Sequence, residues 1–297
     1  MNKEEIQDWF KQLQDCICVA LETADGKGEF EEELWERPNG GGGRTRVLQA
    51  GEVIEKGGVN FSAVHGPTPE KILHALGLQQ SDFFATGVSI VIHPHSPMVP
   101  IIHMNVRFFE MSNGISWFGG GIDLTPHYVV DEDARYFHSA LKQCCDRHHG
   151  TYYDEFKKWA DDYFFIKHRN ETRGIGGIFF DRLNANDGFS LEDRWAFVKD
   201  MGSQFVPIYT HLIHKNKNLD FGQNEKNWQY LRRGRYVEFN LVLDKGTKFG
   251  LDTDGRTESI LMSLPPQANW AYEHKPIAGS REENTVSKLI KGINWIQ

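Results

Sequence analysis

The sequence is poor in cysteine, and its four cysteines lie in two close pairs. Cys16 and Cys18 have one residue between them, and Cys144 and Cys145 are adjacent. Neither spacing is the C-x-x-C of zinc and redox motifs. Both pairs fall in segments with helical periodicity, where residues one or two apart point in different directions. The pattern therefore excludes a disulfide framework and indicates free thiols in a reducing compartment.

Positive charge and long apolar runs are also scarce. The 297 residues include 33 Lys and Arg against 41 Asp and Glu, which gives a formal net charge of −8. Nucleic-acid and anionic-membrane binders usually carry a basic surplus, so we predict neither partner. No apolar run reaches the length of a membrane span, and the first ten residues have neither signal-peptide nor transit-peptide character. We expect a cytoplasmic protein, in which any anionic substrate binds in a locally basic cleft.

Hydrophobic periodicity predicts an α+β fold: a large, mainly antiparallel sheet flanked by helices on both faces, in a single domain over residues 1–297. Helices are predicted over residues 6–21, 68–77, 131–149, 152–168, 190–215, 225–233 and 279–292, with a kink at Pro207. Strands are predicted over residues 46–50, 59–64, 87–93, 101–110, 175–181, 236–243, 248–251 and 257–264. The four glycines from Gly40 to Gly43 predict a mobile or tightly bent loop, since no phosphate-loop motif follows them.

The strand over residues 101–110 carries an unusual polar face. Because side chains alternate along a strand, His103, Asn105 and Arg107 share one face and the apolar residues between them share the other. The preceding strand, over residues 87–93, places Ser89 and His93 on one face in the same way. If these two strands pair, an imidazole, an amide and a guanidinium lie in one patch of the sheet.

Three glycines, Gly119 to Gly121, come next in the chain and allow close approach of a backbone to a ligand or a neighbour. Asp123 follows them directly. Its carboxylate either serves the polar patch or makes a turn bond or a helix cap near Asp131, as Asp often does. Arg107 and Arg256 are the best candidates for anchoring an anion, because arginine pairs with carboxylates through two hydrogen bonds.

Five long motifs resemble one known family, the oxygen-dependent coproporphyrinogen III oxidases. They are GVSIVIHPHSP (87–97), HMNVRFFE (103–110), WFGGGIDLTPHY (117–128), the segment 157–183 and the segment 230–266. The resemblance extends from about Trp35 to about Tyr272. It has two departures, Ala160 in place of a cysteine and Asp254 in place of a glycine.

The resemblance implies a flat antiparallel sheet between helices, and a homodimer formed through about Tyr236–Tyr272. It implies oxidative decarboxylation of two propionates of coproporphyrinogen III to vinyl groups, with dioxygen as co-substrate and no further cofactor. His103 matches the proton donor, and Asp123 matches the carboxylate that engages the pyrrole nitrogens. With Arg107 they form the predicted catalytic set. The predicted substrate contacts are Ser89, Asn105, Val106, Arg107, Asp254, Gly255 and Arg256.

Histidines raise the question of a metal. His93, His95, His103 and Asp123 include the donors of a non-haem iron site, but Pro94 distorts the His-x-His strand, and we predict no metal. The resemblance keeps a divalent cation open, since some bacterial members are described as using histidines that match His93, His103, His138 and His168. Taken alone, the last two are helix residues at the surface or the edge of the core.

Two other functions remain open at this point. One is a non-haem metal oxygenase that acts on a different substrate. The other is a tetrapyrrole-binding protein without catalysis, which would need anion anchors but no acid–base pair.

Overall fold

A seven-stranded antiparallel sheet forms the centre of this computed structural model, which describes residues 2–68, 73, 81–186, 188–252 and 255–297. The strands lie in chain order across the sheet, and the last of them pairs with β6 at one edge. They are β1 (Glu31–Glu36), β2 (Gly41–Gln49), β3 (Ile54–Pro67), β4 (Asp82–Pro94), β5 (Ile101–Met111), β6 (Ser116–Thr125) and β9 (Gly177–Leu183). The short β7 (Phe165–Ile166) and β8 (Glu171–Thr172) form a separate ribbon.

Helices precede and follow the strands, which confirms the predicted α+β class. They are α1 (Lys3–Asp25), α2 (Asp131–Asp146), α3 (Tyr152–Tyr163), α4 (Leu191–Ser203), α5 (Phe205–Asn216), α6 (Gln223–Glu238), α7 (Lys245–Asp252), α8 (Thr257–Leu261) and α9 (Arg281–Ser287). A π-helical turn, Phe239–Leu243, continues α6. Within the described part of the chain, no helix is both long enough and apolar enough to span a bilayer.

The main core lies between one face of the sheet and helices α1, α4 and α5. Ile102, Met104 and Val106 of β5 point into it and have no solvent-exposed surface, as the alternation predicted. Phe10 and Ile17 meet the sheet from α1. Burying such a side chain fully contributes about 1.5–3 kcal/mol. His103, Asn105 and Arg107, the polar side chains of β5, therefore lie on the opposite face of the sheet.

The predicted strands over residues 236–243, 248–251 and 257–264 are wrong, because these segments are helical. Helix α6 passes through Gly234, whose bare Cα lets the Asn269 carbonyl and the Trp270 ring approach closely. Beyond it, Tyr236, Phe239 and Asn240 are buried at helical spacing. A short apolar run fits both the two-residue period of a strand and the 3.6-residue period of a helix. Here contacts with distant residues favour the helix.

Other boundaries also differ from the prediction. The four glycines do not form a loop. Gly40 and Gly41 have positive φ at a tight turn, and β2 begins at Gly41 and includes Gly42 and Gly43. The long helix breaks at Gln204 instead of kinking at Pro207, which lies in the first turn of α5 where its missing N–H costs nothing. The helix over residues 152–168 ends at Tyr163, and the last helix is shorter than predicted. The predicted helix over residues 68–77 lies outside the described residues except for Thr68 and Leu73.

Candidate active site

The side chains of His103, Asn105 and Arg107 lie on the same face of the sheet, which we call the site face. Strand β4 pairs with β5 so that Ser89 is opposite Asn105, which confirms the predicted pairing. Strand β6 pairs with the other edge of β5 and places Asp123 opposite His103. These two registers bring the five predicted residues into one polar patch.

Glycine occupies several sheet positions next to this patch. Among them are Gly58, Gly87, Gly119 and Gly121, on the site face of β3, β4 and β6. Val106, another predicted contact on β5, points into the core and is fully buried, so only its backbone lies along the patch. The result is a low platform from which the polar side chains of β5 project.

Asp123 accepts hydrogen bonds from two cationic or titratable side chains. The His103 Nδ1 lies 2.7 Å from Asp123 Oδ1. The Arg173 Nη2 donates to both carboxylate oxygens, at 2.8 and 2.7 Å. Asp123 and Arg173 form a buried ion pair, with only 2% and 3% of their side chains exposed, while His103 remains partly open to solvent.

This arrangement keeps Asp123 ionised. Burial alone would raise the pKa of its carboxyl, but the Arg173 charge and the His103 hydrogen bond outweigh burial and lower the pKa below its usual value. The charge therefore persists at neutral pH, next to an imidazole that solvent or a ligand can reach. A buried carboxylate held this way can orient the imidazole ring and stabilise positive charge that develops nearby.

Arg173 is itself enclosed by three aromatic rings, which we call the Arg173 cage. Its Cζ lies 4.4, 4.6 and 4.7 Å from the ring centroids of Phe164, Tyr236 and Phe239. Its Nη1 donates to Asn240 Oδ1 at 2.8 Å. Cation–π contacts are strongest where water is excluded, so the cage stabilises the guanidinium and fixes its position.

The turn or cap alternative for Asp123 is wrong. The residue before α2 is Val130, and no side chain caps that helix. Arg173 is the partner that sequence reasoning missed, because it lies 50 residues away in a run of charges, Lys167 to Arg173. The available signal is the glycine-rich turn after this run, Gly174 to Gly177, which is typical of a buried turn and favours internal pairing of some of these charges.

Arg107 is held by two oxygen atoms. Its Nη1 donates to Asn105 Oδ1 and its Nη2 donates to Asp181 Oδ1, both at 2.8 Å. Asp181 comes from β9, which lies beyond β6 at the edge of the sheet. The guanidinium and the carboxylate are both partly exposed. Asp181 was not among the predicted site residues, and its pairing with Arg107 depends on tertiary structure.

Arg256 lies at the opposite end of the same face. Its Nη2 pairs with Glu33 of β1 at 2.5 Å, and its Nη1 donates to Thr45 of β2 at 3.3 Å. The register connects Thr45 through β3 and β4 to Asn105, so both arginines border one face. Gly255 donates its N–H to the Gly250 carbonyl at 2.8 Å. Asp254 lies outside the described residues.

The segment that includes α8 covers the β3 part of the site face. Asn60 Nδ2 donates to the Ser259 carbonyl at 3.0 Å, and Lys56 Nζ donates to the Leu264 carbonyl at 2.9 Å. Met262 packs so closely over Gly58 that any Cβ there would collide with its thioether. The C-terminal helical layer therefore borders the polar patch on its β3 side.

The predicted histidines do not converge on a metal centre. His93 is buried with its Nε2 2.8 Å from the Ser263 carbonyl, and His168 contacts Glu238. His138 contacts the Tyr153 hydroxyl and the Ile175 carbonyl, and burial lowers its pKa to about 3. Among the described residues, no three His, Cys, Asp or Glu side chains are grouped as a metal site requires. These donors do not fit a divalent cation, and we derive no step through one.

A cavity of about 470 Å³ lies away from this patch. It is bordered by Lys3 and Gln7 of α1 and by Phe84, Glu110 and Met111 at the ends of β4 and β5. It contains none of the predicted residues, and its charges are mixed. The grouping of His103, Asp123, Arg107 and Arg173 marks the site face as the candidate active site.

Comparison with known proteins identifies the family. The sequence matches the family described as "Coproporphyrinogen III oxidase" over residues 5–295. It is 48% identical to "Oxygen-dependent coproporphyrinogen-III oxidase, chloroplastic" of Glycine max, covering 99% of this chain and 80% of the relative. It is 48% identical to "Oxygen-dependent coproporphyrinogen-III oxidase" of Prochlorococcus marinus, and the match covers 96% of this chain and 88% of the relative. It is 49% identical to the protein of the same name from Drosophila melanogaster, and the match covers 96% of this chain and 76% of the relative. The chain therefore belongs to the coproporphyrinogen III oxidase family.

Proposed function

We propose that this protein is an oxygen-dependent coproporphyrinogen-III oxidase of haem and porphyrin biosynthesis. It converts two propionates of coproporphyrinogen III to vinyl groups and gives protoporphyrinogen IX. Family membership and the names of the relatives support this activity. The observation that carries it is the ionised, buried Asp123 beside the accessible His103, with Arg107 on the same face.

The chemistry of a porphyrinogen suits these groups. Its centre presents four pyrrole N–H donors, and its rim carries carboxylates. Asp123 accepts pyrrole N–H bonds and stabilises positive charge on the ring during oxidation, and the imidazole of His103 transfers a proton. Each step removes CO₂ and two electrons from one propionate, and dioxygen takes up the electrons with protons as hydrogen peroxide. The electron-rich ring reacts with dioxygen itself, so we propose no redox cofactor and no resident metal.

The rim of the macrocycle meets the two arginines. Arg107 and Arg256 hold propionates through charge-assisted hydrogen bonds, each of which contributes about 1.5–3 kcal/mol. Ser89 and Asn105 add neutral hydrogen-bonding groups between them. Gly87 and Gly121, beside Arg107 and Asn105, leave room for a flat ring to lie close to the sheet.

The assembly that we propose is a homodimer. Several large apolar side chains between the end of α6 and the C-terminal loop are exposed in the isolated chain: Leu241, Val242, Leu251, Trp270 and Tyr272. Several large apolar side chains exposed in one part of the chain support an interface there. Sedimentation at micromolar concentration is expected to give about twice the chain mass of 34.1 kDa. A fully active monomer would contradict the proposal.

We further propose a cytoplasmic location and no nucleic-acid partner, in keeping with the net charge of −8. The Glycine max relative has "chloroplastic" in its name, whereas the name of the Prochlorococcus marinus relative gives no compartment. Cell fractionation tests the location.

One experiment tests the activity. Pure protein is incubated with coproporphyrinogen III in air, without oxygen, and in air with a chelator, and the porphyrins are identified after oxidation. We expect loss of two carboxyl groups in air with or without chelator, and none without oxygen. Binding without loss of carboxyl groups in air would instead indicate a tetrapyrrole carrier. Loss that the chelator abolishes would indicate a metal-dependent oxygenase.

A further inference from the structure

Asp181 holds Arg107 from outside the central strands. It lies on β9, two strands away from β5, and its Oδ1 accepts a hydrogen bond from Arg107 Nη2 at 2.8 Å. Asn105 Oδ1 accepts from Nη1 of the same guanidinium at 2.8 Å. One acceptor on each terminal nitrogen fixes the plane of the group, because a guanidinium donates in a rigid fork.

Gly119 gives this ion pair its position. The strand between Arg107 and Asp181 is β6, and Gly119 is the residue paired with Arg107. A Cβ built at Gly119 would lie 2.5 Å from Asp181 Oδ1 and 2.8 and 2.9 Å from Arg107 Nη2 and Nε. The guanidinium and the carboxylate therefore meet directly over the bare backbone of β6. Any side chain at this position would separate them.

The Arg107–Asp181 pair contributes little to stability. The two side chains are 39% and 31% exposed, and solvent screens an ion pair at such a position. The pair instead orients the guanidinium of Arg107. Two of the five N–H donors of Arg107 are used by Asn105 and Asp181. Other donors of the fork are left to face a ligand on the platform.

We propose that Asp181 is a positioning residue for substrate binding, which rests on the proposed function. Asp181 and Asn105 hold the Arg107 guanidinium so that its other N–H donors meet a propionate of the substrate. A preoriented arginine loses less freedom when the carboxylate binds, and the substrate therefore binds more tightly. Asp181 acts only through Arg107 and is not a catalytic residue.

The test compares Asp181→Ala with Asp181→Asn. The alanine variant removes the acceptor, and we expect its KM to rise about tenfold while kcat changes much less, because ground-state and transition-state binding are weakened together. The asparagine variant retains an acceptor oxygen at the same position. It is expected to recover most of the wild-type KM.

Asp146→Ala is the matched control. Asp146 pairs with Lys142 on α2, and their side chains are 42% and 39% exposed, so the ion pair is equally open to solvent but lies far from the site face. It is expected to leave KM and kcat as in the wild type. An Asp181→Ala variant with unchanged KM overturns the proposal. A lowered KM in both Asp181 variants also overturns it, since Asp181 would then compete with the substrate for Arg107.

Binding of coproporphyrinogen III without oxygen is measured in parallel, because it reports on Arg107 without turnover. The dissociation constant of Asp181→Ala is expected to rise by the same factor as its KM. Wild-type protein that binds the substrate but does not decarboxylate it in air refutes the proposed function, while the binding shift still tests Asp181. A variant that merely loses folded protein would reduce kcat and the number of binding sites, but not the affinity.

Discussion

Replacing Asp123 by Asn removes the negative charge from the Arg173 cage and keeps the size of the side chain. The structure predicts a large loss of stability. Arg173 is 3% exposed, its guanidinium touches three rings, and Asp123 is its anionic partner at 2.7 Å. Removing one member of a buried ion pair costs about 3–5 kcal/mol, because the remaining charge stays in a low-dielectric environment. A surface turn or cap would lose only about 1 kcal/mol.

The same substitution is expected to reduce turnover by about 10²–10³-fold, the usual effect of deleting one electrostatic stabiliser in an active site. The two effects must be measured separately. Urea unfolding followed by tryptophan fluorescence gives the free energy of unfolding, and coproporphyrinogen III turnover is measured where the variant is fully folded.

The double variant Asp123→Asn with Arg173→Met separates stability from catalysis. Methionine fills an aromatic cage well, and replacing a buried ion pair by apolar groups is often neutral for stability. We expect the double variant to recover most of the lost stability while its turnover stays low. Near-normal turnover in folded Asp123→Asn would remove Asp123 from the mechanism. Unchanged stability in the single variant would contradict the role of the ion pair.

Three further predictions address the anchor, the platform and the acid response. Arg107→Ala is expected to keep the fold, because the Arg107 side chain lies on the site face and not in the core, and to raise KM by about tenfold or more. Unfolding of the variant would contradict the assignment of strand faces. Gly119→Ala is expected to raise KM as Asp181→Ala does, because its Cβ separates Arg107 from Asp181, whereas Gly150→Ala, with open space around the added carbon, is the control. Burial raises the pKa of Glu238, but hydrogen bonds from Arg169, His168 and Trp270 outweigh it and lower the pKa to about 2. The contribution of Glu238 to stability is therefore full above about pH 4.5 and is lost as the pH falls toward 2. Glu238→Gln is expected to make the free energy of unfolding fall less steeply over this range. An unchanged dependence of the unfolding free energy on pH would exclude this role of Glu238.

The sequence was most informative where structure depends on local periodicity. The alternation around His103 and Arg107 predicted both faces of β5, because the two-residue repeat of a strand is independent of its neighbours. The apolar spacing over residues 6–21 likewise predicted a helix, because helical periodicity is also local, and Phe10 and Ile17 of α1 are fully buried.

Contacts between distant segments could not be read in this way. The partner of Asp123 lies 50 residues away, and that of Arg107 lies 74 residues away. The segment over residues 236–243 is predicted as a strand, whereas packing of Phe239 against Arg173 favours a helical turn. Intrinsic preference is weaker than such packing.

The alternation of β5 also has a consequence for folding. A shift of one residue in its pairing would turn His103, Asn105 and Arg107 toward the core and expose Met104 and Val106 to water. The polar residues would then be buried without their partners on β6 and β9, which is strongly unfavourable. The same side chains that form the candidate active site therefore act against misregistered sheets, and variants that replace them by apolar residues are expected to fold less uniquely.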